Sequence, residues 1–372
     1  MRAETGLAAS ARDFTVCTFN LHGLGRGSEQ HPDTAVFDAE VTRRAGVIAE
    51  TLTGCTLVAL QETGAPDDAR ALAEHLSAYY GLPYEAIALP GPGTFDPAYP
   101  LTNSFLLRSD RAQALSVSSP QACSAKDYDV PRIGDPCPPG QYPLFDRPPL
   151  IVDAQVSGKW GDDFALTLIN NHWKSKAGDE DVNAPRRLAQ ARHVAALVQE
   201  RLAANPEAHV IVLGDLNDFP TSPPLDVLTA GSGGLISALD YLAPGDRYTY
   251  IYNGASQLLD HILITPNMVQ LLSGVDAVHS SADFASGGAG LDVAERQVSD
   301  HDPALVRIRP EGAAAISGSA AFADVIVALA RPDGFMQLAA VTDRRGDFRI
   351  WDVEPGAATL RYAPPAWLEI GE

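Results

Sequence analysis

At 372 residues and 45% hydrophobic content, the chain is long enough for two or three domains and ordinary in composition for a packed globular protein. Its formal net charge of −20 excludes the basic footprint that nucleic-acid binders usually carry, so such a partner would need cations or bound metal at the site itself. No apolar run approaches the ~20 residues of a membrane helix, and Met1–Ser10 lacks a charged-then-apolar leader. A soluble chain is expected, and a leader removed from a longer precursor would leave no trace.

In chain order, alternation predicts a strand over Asp13–Leu21 that ends in polar residues. Helical spacing of Val41, Ala45, Ile48 and Leu52 predicts a helix over Val36–Thr53, stopped at Gly54. Thr56–Leu60 reads as a short buried strand opening into Gln61-Glu62, and Asp67–Tyr80 as a helix. Ser104–Arg108 and Leu150–Val156 are predicted strands around a Pro/Gly/Asp-rich loop, Gln121–Tyr142. Phe164–Asn170 is a predicted strand ending in Asn171-His172. Pro185–Ala204 is a predicted helix with proline at its start. Val210–Leu213, Tyr248–Tyr252 and Leu258–Thr265 follow as strands, and Ser280–Gly290 as a mobile loop. Several strand pairs have no helix between them, which indicates a mixed sheet.

Composition shifts after Arg309. Pro310–Ala315 reads as a linker, and Ile316–Tyr362 as strands separated by Gly-containing turns, the pattern of a small β-sandwich. The expected division is therefore 11–309 and 316–372. The second unit holds no His, Cys or acidic cluster and is given no catalytic role.

Four cysteines are too few for a disulfide scaffold. Cys123 and Cys137 share the loop with little apolar content to hold it, and a bridge between them would imply an oxidising compartment. Cys17 and Cys55 fall at different heights if their strands run parallel, so free, buried thiols are expected there.

The strand tips carry the chemistry. Asn20, Glu62, Asn171-His172, Asp215/Asn217 and Asp260-His261 end or open strands, and Asp300-His301 precedes another. Singly, an Asn after a strand is ordinarily a turn residue, and a lone His a core residue bonded to a carbonyl. Together they are hard to reconcile with folding alone, because an unpaired buried charge costs several kcal/mol unless a partner or metal compensates it. Strand tips facing a crevice are also where α/β enzymes place chemistry. Hydrolysis at a divalent metal is the leading reading, with Arg147, Lys174 and Lys176 as local cations.

In this order, Phe19-Asn20-Leu-His-Gly, Gln61-Glu62, Asn171-His172-Trp-Lys174, Gly214-Asp215-Leu-Asn217, Leu259-Asp260-His-Ile-Leu and Ser299-Asp300-His301 resemble the endonuclease/exonuclease/phosphatase superfamily, the deoxyribonuclease-I-like fold. Lys174-Ser-Lys176, Asp218-Phe-Pro220 and Tyr248-Thr-Tyr250 are similar to its bacterial predicted extracellular nucleases. The tail segment from Val341 to Phe348 resembles a carboxypeptidase-regulatory-type module. The resemblance implies a four-layer α/β sandwich, two packed mixed sheets flanked by helices, followed by a small all-β sandwich.

It also implies Glu62 as the principal metal ligand, helped by Asn20 and Asp300, for Mg²⁺ or Mn²⁺, with Ca²⁺ as an alternative. Asp215 and Asn217 would position or deprotonate water and share a second ion. Asp260 would orient His301, His172 would supply a second acid/base, and Arg147 and Lys174 would contact substrate. The expected function is a secreted, monomeric DNA or RNA endonuclease. Two alternatives stay open. One is a lipid or small-molecule phosphodiesterase or phosphatase, for which the Leu89–Pro100 loop offers Phe95 and Tyr99. The other is a catalytically inactive binding or adhesion protein.

Overall fold

The computed structural model describes residues 13–26, 33–89, 101–130, 137–157, 163–231, 233–284, 297–310, 315–330, 336–351 and 359–363. The 90–100 loop weighed above for lipid contact lies outside them, as do the turns at 331–334 and 355–356 and the stretch 285–290.

Two six-stranded mixed sheets form the body. In one, the strands run in the order Leu272–Ala277, Ala304–Ile308, Phe14–Leu24, Leu57–Thr63, Thr102–Arg108, Tyr84–Ala88. In the other the order is Ile236–Ser237, Asp260–Ile264, Val210–Asp215, Phe164–His172, Leu150–Val156, Ala112–Ser118. Period-2 alternation gives each central strand two apolar faces. Val16, Leu57, Ala59 and Phe105 meet Val152, Leu168, Ile211, Leu213 and Ile262 in the core between the sheets. The opposite faces bury Phe19, Val58 and Leu60 against helices Thr34–Gly46 and Pro66–Tyr80, and Ile169, Val212 and Leu263 against helices Glu180–Ala204 and Pro223–Thr229. The result is the four-layer α/β sandwich expected.

The third helix starts earlier than proline placement suggested. Asp179 caps it by accepting the Asp181 N–H, with Glu180 and Asp181 in its first turn, and Pro185 lies inside. The acidic first turn, not the proline, is the start signal. The strands Tyr84–Ala88, Ala112–Ser118 and Leu272–Ala277 were not legible; they include edge strands of mixed burial with weak alternation.

Cys123 and Cys137 are bridged, as expected. Cys17 and Cys55 are also bridged, with Cα atoms 6.4 Å apart, which corrects the expectation of free thiols. The height argument assumed an extended chain back through Cys55. Instead the strand begins at Leu57, Gly54 takes φ +67°, and Thr15 and Thr56 each accept the other's N–H on Oγ1 (3.0 and 3.3 Å). The chain therefore folds back beside Cys17.

The C-terminal strands form separate small sheets, Ala315–Ser319 with Asp347–Trp351, and Met336–Val341, Ile326–Ala330 and Thr359–Ala363. Val327, Leu329, Phe348 and Ile350 form their own core.

Candidate active site

Strand parity builds the site. Residues in step with inward-facing Val16, Leu168, Leu213 and Ile262 are Asn20, His172, Asp215 and Asp260, all at one end of the inter-sheet core. Register aligns them: Asp215 is level with His172 on one neighbour and with Asp260 on the other. Below the tips, Asn170 accepts from Gln61 Nε2 (2.7 Å) and donates to the Leu60 and Ser104 carbonyls, tying the two sheets together.

Glu62 is out of step with Ala59 and Gln61 and should point away. Its φ of +57° and the irregular register around it turn it back into the cleft. Asn217 (φ +52°) and His22 (φ +50°) are likewise left-handed. Such conformations cost of order 1–3 kcal/mol each, and they concentrate at functional sites. Gly214 permits close approach of the strands: a Cβ there would lie 2.1 Å from the Asn171 carbonyl oxygen.

The side chains converge on a cleft of about 390 Å³ lined by Glu62, His172, Asp215, Asn217, Asp300 and His301 together with Lys176, Phe219, Tyr250 and Tyr252. Asn20 Nδ2 donates to Asp215 (3.1 Å) and Glu62 (3.5 Å). Asn217 donates to both Asp215 oxygens, through its N–H (2.9 Å) and Nδ2 (3.1 Å). His172 Nε2 lies 3.5 Å and His301 Nε2 3.8 Å from Asp215 Oδ2. Asp260 Oδ2 holds His301 Nδ1 at 2.7 Å, and the Tyr250 ring packs on the His301 ring at 4.7 Å.

The two histidines are pushed in opposite directions. Burial drives His172 well below the ordinary imidazole range, reinforced by the charges of Arg147, His301 and Lys174. Burial would do the same to His301, but Asp260, Asp215 and Asp300 hold it well above that range. Burial raises Asp215, opposed by His301. Opposite preferences on either side of one carboxylate suit a paired acid and base.

Of the sequence-predicted residues, Glu62, His172, Asp215, Asn217, Asp300 and His301 line the cleft, and Asn20 and Asp260 contact them from beneath. Arg147 and Lys174 are not among the lining residues; their charges act on His172. Asn171 accepts from Trp173 Nε1, and Asp302 is fully buried and accepts three backbone N–H groups of Ser280, Ser281 and Ala282, so both have structural partners. Sequence reasoning missed His22, whose Nδ1 lies 2.7 Å from Asp300 Oδ1 and whose pKa is raised by that bond. Its place two residues after Asn20, within the motif itself, was the available signal. Phe219 and Tyr252 were also missed as cleft residues.

Ligand-type atoms of Asp215, Asp260 and His301 lie within 4.8 Å of one another, as do those of His279, Asp283 and Asp302. In the first group Asp260 and His301 are committed to each other at 2.7 Å. In the second, His279 and three backbone N–H groups occupy Asp302. Glu62, partly exposed at 24% and engaged among the described residues by contacts of 3.5 Å and longer, offers the freer oxygens.

Residues 147–284 match the family model described as Endonuclease/Exonuclease/phosphatase family. No curated protein matches the sequence significantly. Among solved structures, the chain is similar to an endonuclease/exonuclease/phosphatase family protein from Bacteroides thetaiotaomicron (17% identity, TM-score 0.53, covering 80% of this chain and 97% of that one). It is similar to a mannosyl-6-phosphatase of the same organism (16%, 0.53, 79% and 98%) and to truncated TDP2 from Caenorhabditis elegans (16%, 0.50, 80% and 97%). At these identities the structural likeness speaks for the fold alone. Over residues 147–284 the chain matches the endonuclease/exonuclease/phosphatase family, and its fold is that of the solved structures so described.

Proposed function

We propose that the chain is a divalent-metal-dependent phosphodiester hydrolase acting on nucleic acid. The observation that carries this reading is the convergence of three carboxylates, Glu62, Asp215 and Asp300, in one cleft around His172 and His301, whose protonation preferences are opposed. The donor set fits a hard cation, with Glu62, Asn20 and Asp300 to hold Mg²⁺ or Mn²⁺ and Asp215 and Asn217 beside them. A bound divalent cation would neutralise charge on the non-bridging phosphate oxygens.

The chain's own groups supply the rest. Asp215, fixed by Asn20 and Asn217, orients the attacking water and takes its proton. His301, kept protonated by Asp260, donates to the phosphate or the leaving alkoxide, and neutral His172 is a second acceptor. Arg147 and Lys174 add positive charge behind His172, and Lys176 faces the cleft, a local answer to the net charge of −20. Phe219 and Tyr252 offer exposed rings for a base to stack on. The two disulfides support an extracytoplasmic setting. No helix among the described residues is long and apolar enough to cross a membrane.

A second reading, a small-molecule phosphatase, is favoured by the acidity of the chain and by the neighbour described as a mannosyl-6-phosphatase. Plasmid DNA, RNA, sphingomyelin, a sugar phosphate and bis(p-nitrophenyl) phosphate, each with Mg²⁺ or Mn²⁺, separate the readings. Cleavage of DNA or RNA is expected. Turnover of the sugar phosphate alone would favour the second reading, and no turnover of any would refute both.

A further inference from the structure

The turn Asp215–Pro220 carries two site residues, Asp215 and Asn217, and the cleft-wall residue Phe219. From the body, Arg187 (2.9 Å) and Lys176 (3.1 Å) hold the Asp218 carboxylate, and His261 Nε2 holds the Asp218 carbonyl at 2.9 Å. A further contact comes from the C-terminal unit. The turn that joins Met336–Val341 to Asp347–Trp351, strands of two different sheets, projects Arg344 into a notch lined by Asp226, Thr229, Ser237 and Asp240. Its guanidinium donates to the Pro220 carbonyl through Nη1 and to Asp240 Oδ2 at 3.3 Å through Nε. Asp240 is itself buried, and Arg345 reaches the Thr229 carbonyl beside it.

We propose that Arg344 is a positioning residue for the cleft: the C-terminal unit braces the Asp215–Pro220 turn from behind through its Pro220 carbonyl. The geometry favours this over a plain tether. A tether needs only affinity between the units, which Arg247 with Asp324 (2.6 Å) and Arg349 with the Gln270 carbonyl (2.9 Å) already offer away from the turn. Arg344 instead spends its donors on the turn and on the acid next to it. A carbonyl held by a charged donor has a stronger bond than a neutral one would give, and the two-pronged guanidinium fixes direction as well as distance. Small misplacements at a reacting centre are costly in rate, so a brace outside the cleft can act on turnover. The unit given no catalytic role from sequence would then be needed for full activity without touching substrate.

The test uses the full chain with Arg344→Ala, Arg344→Lys and, as a control for the junction, Arg349→Ala. Hydrogen exchange is read at the amides of 214–222, and kcat and KM are read on bis(p-nitrophenyl) phosphate with Mn²⁺. The kinetic arm rests on the proposed hydrolase reading; the exchange arm does not. In Arg344→Ala, exchange at 214–222 is expected to quicken about tenfold and kcat to fall about tenfold with KM nearly constant, by loss of orientation. Arg344→Lys, which can still donate to Pro220, should recover much of both, and Arg349→Ala should lower the thermal midpoint while leaving both near wild type. Unchanged exchange at 214–222 in Arg344→Ala, or equal changes in Arg349→Ala, would overturn the brace. If wild type hydrolyses nothing, the hydrolase reading fails and exchange alone decides the brace.

Discussion

Two groups of buried charge meet at the turn after Val210–Asp215, and they are built in opposite ways. On one side, Arg187 joins Asp218 and Glu180, and Arg186 faces Asp146 at 3.0 Å with both side chains 3% exposed. Asp218 is accordingly held below the ordinary carboxylate range: burial would raise it, but Arg187 and Lys176 prevail. On the other side, Asp215 is flanked by amides, two histidines and the like charges of Glu62 and Asp260, and it is raised. Missing hydrogen bonds do not separate the two sides: among the described residues His172 Nδ1 and Asp260 Oδ1 are buried without a partner, and so are both Asp146 oxygens and Arg186 Nη2, which meet as an ion pair alone. The comparison teaches that burial of charge does not by itself mark chemistry. Closed pairs support the fold, whereas charge left open toward a cleft is available to substrate and metal.

The sharpest way to break this comparison is to open a closed pair. Arg186→Met leaves Asp146 buried without its cation and should cost about 3–5 kcal/mol of stability. Urea denaturation checks this, and the folded fraction should keep its rate. A variant that folds like wild type but is inactive would place this network in the site.

A smaller effect is expected from closing off charge within the cleft. Asp260→Asn keeps the shape but removes the carboxylate nearest His301, and should lower turnover on the order of a hundredfold. The sign of the pH effect follows from the raised pKa of His301. In wild type the imidazolium persists well above the ordinary 6.5, so the alkaline limb of the rate profile lies high. Without Asp260 that pKa falls, and the limb should move to lower pH. A limb that stays in place would show that His301 is not the acid.

Much of this was legible in the sequence because parity and register are. Strands that end in Asn20, His172 and Asp215, or open with Asp260, present alternate residues to one face, so once they pair these tips face one way. The left-handed backbone at Glu62 and His22 leaves no periodic trace; Glu62 was found as a polar strand end, its ligand role came from the resemblance, and His22 was overlooked. The Cys17–Cys55 bridge was misjudged because a fold-back at Gly54 breaks the uniform rise that the height argument needed. The Asn170–Gln61 tie between sheets and the contact of Arg344 with Pro220 depend on residues 109 and 124 positions apart, which no local pattern encodes.

The most direct test of the central claim is divalent-cation dependence read together with Glu62→Gln, a change that removes charge at nearly constant volume. Hydrolysis of bis(p-nitrophenyl) phosphate by wild type should vanish in chelator and return with Mg²⁺ or Mn²⁺. Calorimetric titration should show Mn²⁺ binding that Glu62→Gln weakens, with a rate loss on the order of a hundredfold or more. Wild-type activity that persists in chelator, or Glu62→Gln with unaltered binding and rate, would contradict the assignment of this cleft as a metal-dependent phosphodiesterase centre.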